Sequence, residues 1–123
     1  MRVVYIAHPI AGDVDKNIER IETIIRALNL SFDTIFPYAH YVIECRTLRD
    51  SIVSERDRGI KNNSEVFKRK FIDELWLYGP TISPGMVTEV KWALKYGIPI
   101  KCKTAETKFA YSRLQHSQII KSK

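Results

Sequence analysis

Cysteine, methionine, glycine and proline are all scarce, with 2, 2, 5 and 5 copies in 123 residues. So little glycine and proline excludes collagen-like and low-complexity chains. Cys45 and Cys102 stand alone, without the paired spacing of a zinc site or the partners of a disulfide framework, so both are expected to be free thiols. Long apolar runs are missing as well. The longest is Val3–Ala7, far short of the ~20 residues that cross a bilayer. Arg2 leads straight into that run with no small-residue cleavage site behind it, which predicts no signal peptide, no membrane partner and a cytoplasmic protein.

Several chemical signatures are absent too. There is no G-x-S-x-G nucleophile elbow, no phosphate-loop motif and no G-x-G-x-x-G dinucleotide fingerprint. His8 and His40 have no His or Cys at ligand spacing, so no metal is expected, and nothing calls for a cofactor. What the chain does have is 45% hydrophobic and 28% charged residues, ordinary for a folded domain. Its length suits one domain over residues 1–123 rather than two. The net charge of +6 is unevenly spread: 4 basic against 5 acidic residues in 1–43, 8 against 5 in 44–70, 2 against 3 in 71–100, and 6 against 1 in 101–123. The excess falls in a middle helical stretch and in a basic C-terminal extension, 103–123, ending Lys121-Ser122-Lys123. The segments that carry candidate chemistry are slightly acidic. That argues against nucleic acid as a partner, because tracking a phosphate backbone needs cations at the site itself.

Strand-like and helix-like stretches alternate. Arg2–His8 reads as a strand, because Val3-Val4-Tyr5-Ile6 is a β-branched and aromatic run of the kind a parallel sheet buries on both faces. After a turn over Pro9–Gly12, Asp13 supplies an N-cap, and Val14, Ile18, Ile21, Ile25 and Leu28 follow at helical spacing. Thr34–Phe36 is expected as a short strand ended by Pro37, whose nitrogen cannot continue a central ladder. Residues 38–46 read as irregular, and Thr47–Lys70 as a helix broken near Gly59 and Asn62-Asn63. Phe71–Tyr78 is the next strand. Ser83 then caps a helix with Pro84 in its first position, which runs to Tyr96 and stops at Gly97. Ile98–Cys102 makes a fourth strand and Ala105–Gln118 a last helix. The pattern predicts a three-layer, doubly wound α/β domain, Rossmann-like or flavodoxin-like, with a parallel sheet of four to five strands. Ligands of such sheets bind at the carboxyl ends of the strands, a rim that carries residues 8–13 and 79–89.

Glu89 is the foremost candidate on that rim. Helical side chains lean toward the N-terminus, so its carboxylate points over the turn containing Gly85, where a missing side chain leaves room for a ligand. The helix dipole favours its ionised form, and an ionised carboxylate beside a pocket serves as a nucleophile or as partner to a sugar cation. The same acid also suits an early helical position for dipole reasons alone. Asp73, at a strand opening, can protonate or hydrogen-bond a leaving base, or be a solvated flank. Tyr5 points to one face of the first strand, as a site residue or a core one. Gly12, ahead of a helix, lets backbone amides meet a phosphate. Tyr38, Tyr41 and Trp76 can stack a base or fill the core. Tyr38, Tyr41, Trp92 and Tyr96 are more aromatics than one small core obviously needs, a weak sign of a homo-oligomer.

In combination, Tyr5-Ile6-Ala7-His8-Pro9-Ile10-Ala11-Gly12-Asp13, Asp73-Glu74-Leu75-Trp76-Leu77-Tyr78-Gly79, Ile82-Ser83-Pro84-Gly85-Met86-Val87-Thr88-Glu89 and Gly97-Ile98-Pro99-Ile100 resemble the nucleoside 2-deoxyribosyltransferase superfamily, which includes the 2'-deoxynucleoside 5'-phosphate N-hydrolases. The likeness is to its small phage and bacterial branch and covers residues 1–102; a phage-encoded member would work in the host cytoplasm. The resemblance implies a glutamate, matched by Glu89, that attacks C1' of the sugar while the base leaves. It implies that Tyr5 orients this nucleophile and Asp73 assists the base. Residues His8, Pro9, Ile10, Ala11, Gly12 and Asp13, with Tyr78, Gly79, Ser83, Gly85 and Met86, would bind substrate, Ser83 and the 10–12 amides taking a 5'-phosphate. It also implies a nucleoside or nucleotide as the small-molecule partner and sites completed by a neighbouring subunit. Lys91 stands where the family commonly has a small residue, and Ala11 where its phosphate-using hydrolases often have a basic one. These departures motivate the alternative of a non-catalytic nucleotide-binding protein, a sensor or sponge of nucleotide signals. A phosphoribohydrolase of the Lys-decarboxylase-like type would need a P-G-G-x-G-T loop, which is absent.

Overall fold

A computed structural model describes residues 1–117 and 119–120. The terminal Lys121-Ser122-Lys123 and the expected helix end at Gln118 lie outside the described residues. Four parallel strands are present, β1 (Arg2–Ala7), β2 (Ile35–Tyr38), β3 (Glu74–Leu77) and β4 (Ile100–Cys102). They are joined in the order β2-β1-β3-β4. Between and after them run five helices: α1 (Val14–Ser31), α2 (Tyr41–Thr47), α3 (Val53–Lys68), α4 (Pro84–Tyr96) and α5 (Ala105–His116). This is the expected doubly wound three-layer α/β architecture, with four strands in the sheet.

Alternation along β1 sorts the core into two layers. Tyr5 and Ala7, with Leu75 and Leu77 of β3, meet Phe67 of α3 and Met86, Val90 and Ala93 of α4. Val4 and Ile6, with Trp76 of β3, meet Ile35 of β2 and Leu28 of α1. Each strand carries apolar residues on both sides, which is why β1 reads as an unbroken hydrophobic run. The strand order reverses between β1 and β3, so the switch-point crevice lies over the carboxyl ends of those two strands.

Three expectations need correction. Pro37 lies inside β2, paired with Val4. β2 is an edge strand, so its outward-facing nitrogen has no ladder bond to lose. Residues 38–46 are not irregular, since α2 occupies most of them, with Tyr41 and Glu44 on its buried side. The helix expected over Thr47–Lys70 starts only at Val53 and is unbroken at Gly59 and Asn62-Asn63. Tertiary contacts override the weak local propensities there: a side chain at 59 would already touch Leu48, and Asn62 is bonded to Arg58 and Glu44. Gly97 ends α4 as expected, in the left-handed conformation (φ 71°) that glycine adopts without steric cost. No described helix is long and apolar enough to cross a membrane.

Candidate active site

Tyr5 sits in mid-strand with no exposed surface, and its hydroxyl donates to the Glu89 carboxylate. α4 brings that carboxylate there. Ser83 caps the helix, its Oγ accepting from the Met86 amide at 3.3 Å, and Pro84 takes the first position. The helix start is thereby fixed, and Glu89 comes one and a half turns later on the side facing β1. Burial pushes the Glu89 carboxyl up to about 7, against the opposing pull of the Tyr5 hydrogen bond. The expected stabilisation of the ion by the helix dipole does not prevail. Position 89 lies beyond the first turn, where the dipole acts, and desolvation is larger. Burial, followed by the charge of Glu89, holds the Tyr5 phenol well above its ordinary value, so it remains a donor.

Aromatic rings enclose this pair. Tyr5 stacks on Tyr41 at 5.6 Å between centroids and tilts against Phe67 at 4.9 Å and Tyr38 at 6.2 Å. The Tyr41 hydroxyl donates to the Ile6 carbonyl at 2.6 Å, and Trp92 packs on Phe67 at 5.5 Å. Trp76 is buried on the opposite face, with the Lys103 ammonium 4.1 Å from its ring. Tyr38, Trp92 and Tyr96 are packed against the main core cluster, so the aromatic surplus seen in the sequence has intramolecular partners.

A second buried acid stands beside the pair. Glu44 of α2 is only 8% exposed. Its Oε2 accepts from the Asn62 side-chain amide at 2.8 Å, while its buried Oε1 has no hydrogen-bond partner. Its charge adds to the burial that raises the Tyr5 and Tyr38 phenols. Sequence reasoning missed Glu44 because α2 was not recognised. The signal was the three-residue spacing from Tyr41, which puts both on one side of a helix.

The turn after β1 is braced from α1. The buried Asn17 side-chain amide donates to the carbonyls of Ile10 (3.0 Å) and Ala11 (3.4 Å). Asn17 was also missed, although a polar residue beside Ile18 on an apolar stripe marked it. Asp13 caps α1 as expected, accepting from the Lys16 amide at 3.2 Å. Nothing lies within 4 Å of where a side chain at Gly12 would begin, and at Gly85 only the Ser83 hydroxyl comes that near, at 4.0 Å. Both loops therefore leave space above the strand ends. They touch at one point: Gly79 has φ +102°, and a Cβ there would stand 2.6 Å from Pro9 Cδ. His8 is buried, with Nδ1 2.7 Å from the Pro9 carbonyl. With Lys16, Arg20, Tyr78, Gly79 and Thr104 it lines a groove of about 820 Å³ on the α1 side.

Not every predicted site residue joins this rim. Asp73 precedes β3, at the amino end of the sheet, where its Oδ2 accepts from the Val3 amide at 2.8 Å and its own amide donates to the Val3 carbonyl at 2.7 Å. It sits level with Val3, two residues (roughly 7 Å) down the sheet from Tyr5. Met86 is a core residue at 1% exposure, beneath the loop rather than facing a ligand. Among the described residues, no three His, Cys, Asp or Glu side chains gather as metal ligands would.

No curated protein and no solved structure matches the chain. One family model does, over residues 2–103, which span the whole sheet and both loops of the rim. The chain therefore belongs to the family described as Domain of unknown function (DUF7768).

Proposed function

We propose that the protein cleaves or transfers at the N-glycosidic bond of a (deoxy)nucleoside or nucleoside 5'-monophosphate, with Glu89 as nucleophile. The observation that carries the reading is the Tyr5–Glu89 pair beside the switch-point crevice. The Glu89 carboxyl, raised to about 7, is bonded by one phenol and pairs with no cation among the described residues. It is poised to ionise at neutral pH and to attack an electron-poor carbon. The Glu89 carboxylate forms an ester with C1', the C1'–N bond breaks, and the electron pair leaves with the base. Water or a second base then displaces Glu89 from C1', through the same oxocarbenium-like transition state. Tyr5 holds the carboxylate in line and donates to the oxygen that does not attack. The resemblance to the nucleoside 2-deoxyribosyltransferases supports these roles. The open turn at Ile10–Gly12, ahead of α1, and the Ser83 hydroxyl supply donors for a 5'-phosphate. Work on nucleotides fits a cytoplasmic protein, and the family resemblance alone supports a homo-oligomer.

The test is chromatography of wild type and Glu89→Ala after incubation with deoxynucleosides, nucleoside 5'-monophosphates and NAD-derived nucleotides. Free base released by wild type alone is expected. Equal release by Glu89→Ala overturns the mechanism, and intact ligand bound by both proteins, with no base freed, replaces it with a nucleotide-binding module.

A further inference from the structure

The geometry points to Glu44 as the acid/base residue that serves the leaving group, facing Glu89 across Tyr5. This assignment rests on the glycosidic reading above and gives that site its second carboxylate. Three observations lead to it. The first is the unmet bonding of the side chain: Asn62 fixes Oε2 at 2.8 Å, whereas Oε1 is buried with no partner among the described residues. Leaving such an atom unsatisfied is costly, and a catalytic role is one of the reasons for which a native fold retains it.

The second is topological. β1 carries Tyr5 and lies between β2 and β3. Glu89 arrives on α4, after β3, and Glu44 on α2, after β2, so the two acids approach the tyrosine from opposite flanks. Double displacement demands that arrangement, because the nucleophile attacks one side of C1' and the base departs from the other. The third is the wall around Glu44. Tyr5 and Tyr41 are buried there, and the half-buried Tyr38, packed on Tyr5, offers the ring surface on which a planar base can lie. Asp73 leaves the role open, since its carboxylate is committed to the Val3 amide.

The step balances as follows. As the C1'–N bond breaks, the Glu44 carboxyl passes a proton to the departing nitrogen, leaving a carboxylate. In the second half, that carboxylate takes a proton from the water that attacks C1', and Glu89 is released as a carboxylate. Nucleoside and water become sugar and free base, and both acids return to their starting states. Asn62 is a positioning residue for Glu44.

The experiment pairs two substrates: a nucleoside or nucleotide cleaved by wild type, and the matching glycoside of 4-nitrophenol, a leaving group stable as an anion and in no need of a proton. Glu44→Gln preserves the shape and the bond to Asn62. It is expected to lower kcat/KM for release of the natural base by at least 100-fold, while kcat/KM for nitrophenol and its first-turnover burst fall no more than a few-fold, because later turnovers still need Glu44 as base. Glu89→Gln is expected to abolish both. Retained nitrophenol release also shows that Glu44→Gln is folded. Equal loss on both substrates, or loss on neither, overturns the role of Glu44 while leaving that of Glu89 intact. Release of neither base nor nitrophenol by wild type overturns the glycosidic reading and the role of Glu44 with it.

Discussion

Glu74 and Glu89 are two sheltered carboxylates on opposite faces of one sheet, and their surroundings differ completely. Glu74 lies beside Val4 in the sheet, on the face away from Tyr5. It accepts from the Trp76 indole at 2.8 Å, pairs with the Lys101 ammonium at 3.1 Å and meets the Arg2 guanidinium. Burial pushes its carboxyl up, but these donors outweigh burial and hold it below the ordinary glutamate value. Among the described residues Glu89 has one phenol and no cation, so burial prevails and its carboxyl rises to about 7. A carboxylate ringed by donors joins strands. One left with a single neutral donor carries a cost in stability, and under the proposed function that cost keeps a nucleophile ready.

The sharpest way to break the comparison is to neutralise each acid. Glu89→Gln is expected to lower kcat/KM by 1,000-fold or more while the fold persists; Glu74→Gln should leave kcat/KM within a few-fold of wild type. A large activity loss from Glu74→Gln would dissolve the distinction. Tyr5→Phe comes next, with an expected 10- to 100-fold loss from misplacing the nucleophile. Because the Tyr5 hydrogen bond lowers the Glu89 value, its removal shifts the rising limb of the pH–rate profile to higher pH. In wild type that limb should fall about tenfold per pH unit below about 7, where Glu89 is protonated. An unshifted limb in Tyr5→Phe would assign the limb to another group.

Stability should divide the pair with opposite signs. The Glu89 carboxyl is raised on folding, so its contribution is favourable at low pH and is lost as pH rises from the ordinary value of 4.5 through about 7. Glu89→Gln is therefore expected to stabilise the protein by about 1–2 kcal/mol at pH 8 and to have little effect near pH 4, read from denaturant melts. Glu74 is lowered on folding, so its contribution is present at neutral pH and fades as the pH falls below 4.5. Glu74→Gln should cost about 1–2 kcal/mol at pH 7. The smallest effect expected is that of Asp73→Asn. It weakens one bond to the Val3 amide, costs about 0.5–1 kcal/mol and leaves turnover unchanged within a few-fold.

The layer architecture was legible because its causes are local: the β-branched run of β1, the period of α1, and the caps Asp13, Ser83 and Gly97 each act within a few residues. Pairing Tyr5 with Glu89 was legible only through family likeness, since nothing local links residues 84 positions apart. What stayed hidden is instructive. α2 has no apolar period long enough to reveal a seven-residue helix, and the bond that fixes its carboxylate exists only when α3 packs Asn62 against it. Pro37 misled because the edge position of β2 is a property of the whole sheet. Asp73 was drawn into the site by family likeness, although strand openings of an all-parallel sheet gather at its amino end. The register sets it there, level with Val3.

The contact between Gly79 and Pro9 makes the two rim loops a mechanically coupled pair. Any side chain at 79 would act as a wedge, displacing the proline that begins the turn Asn17 holds in place. Variation at the two positions must therefore be correlated. In a library randomised at both, active clones with a residue larger than glycine at 79 should appear only with something slimmer than proline at 9. The mouth of the crevice would thus be inherited as a two-residue unit, although 70 positions of sequence separate its halves.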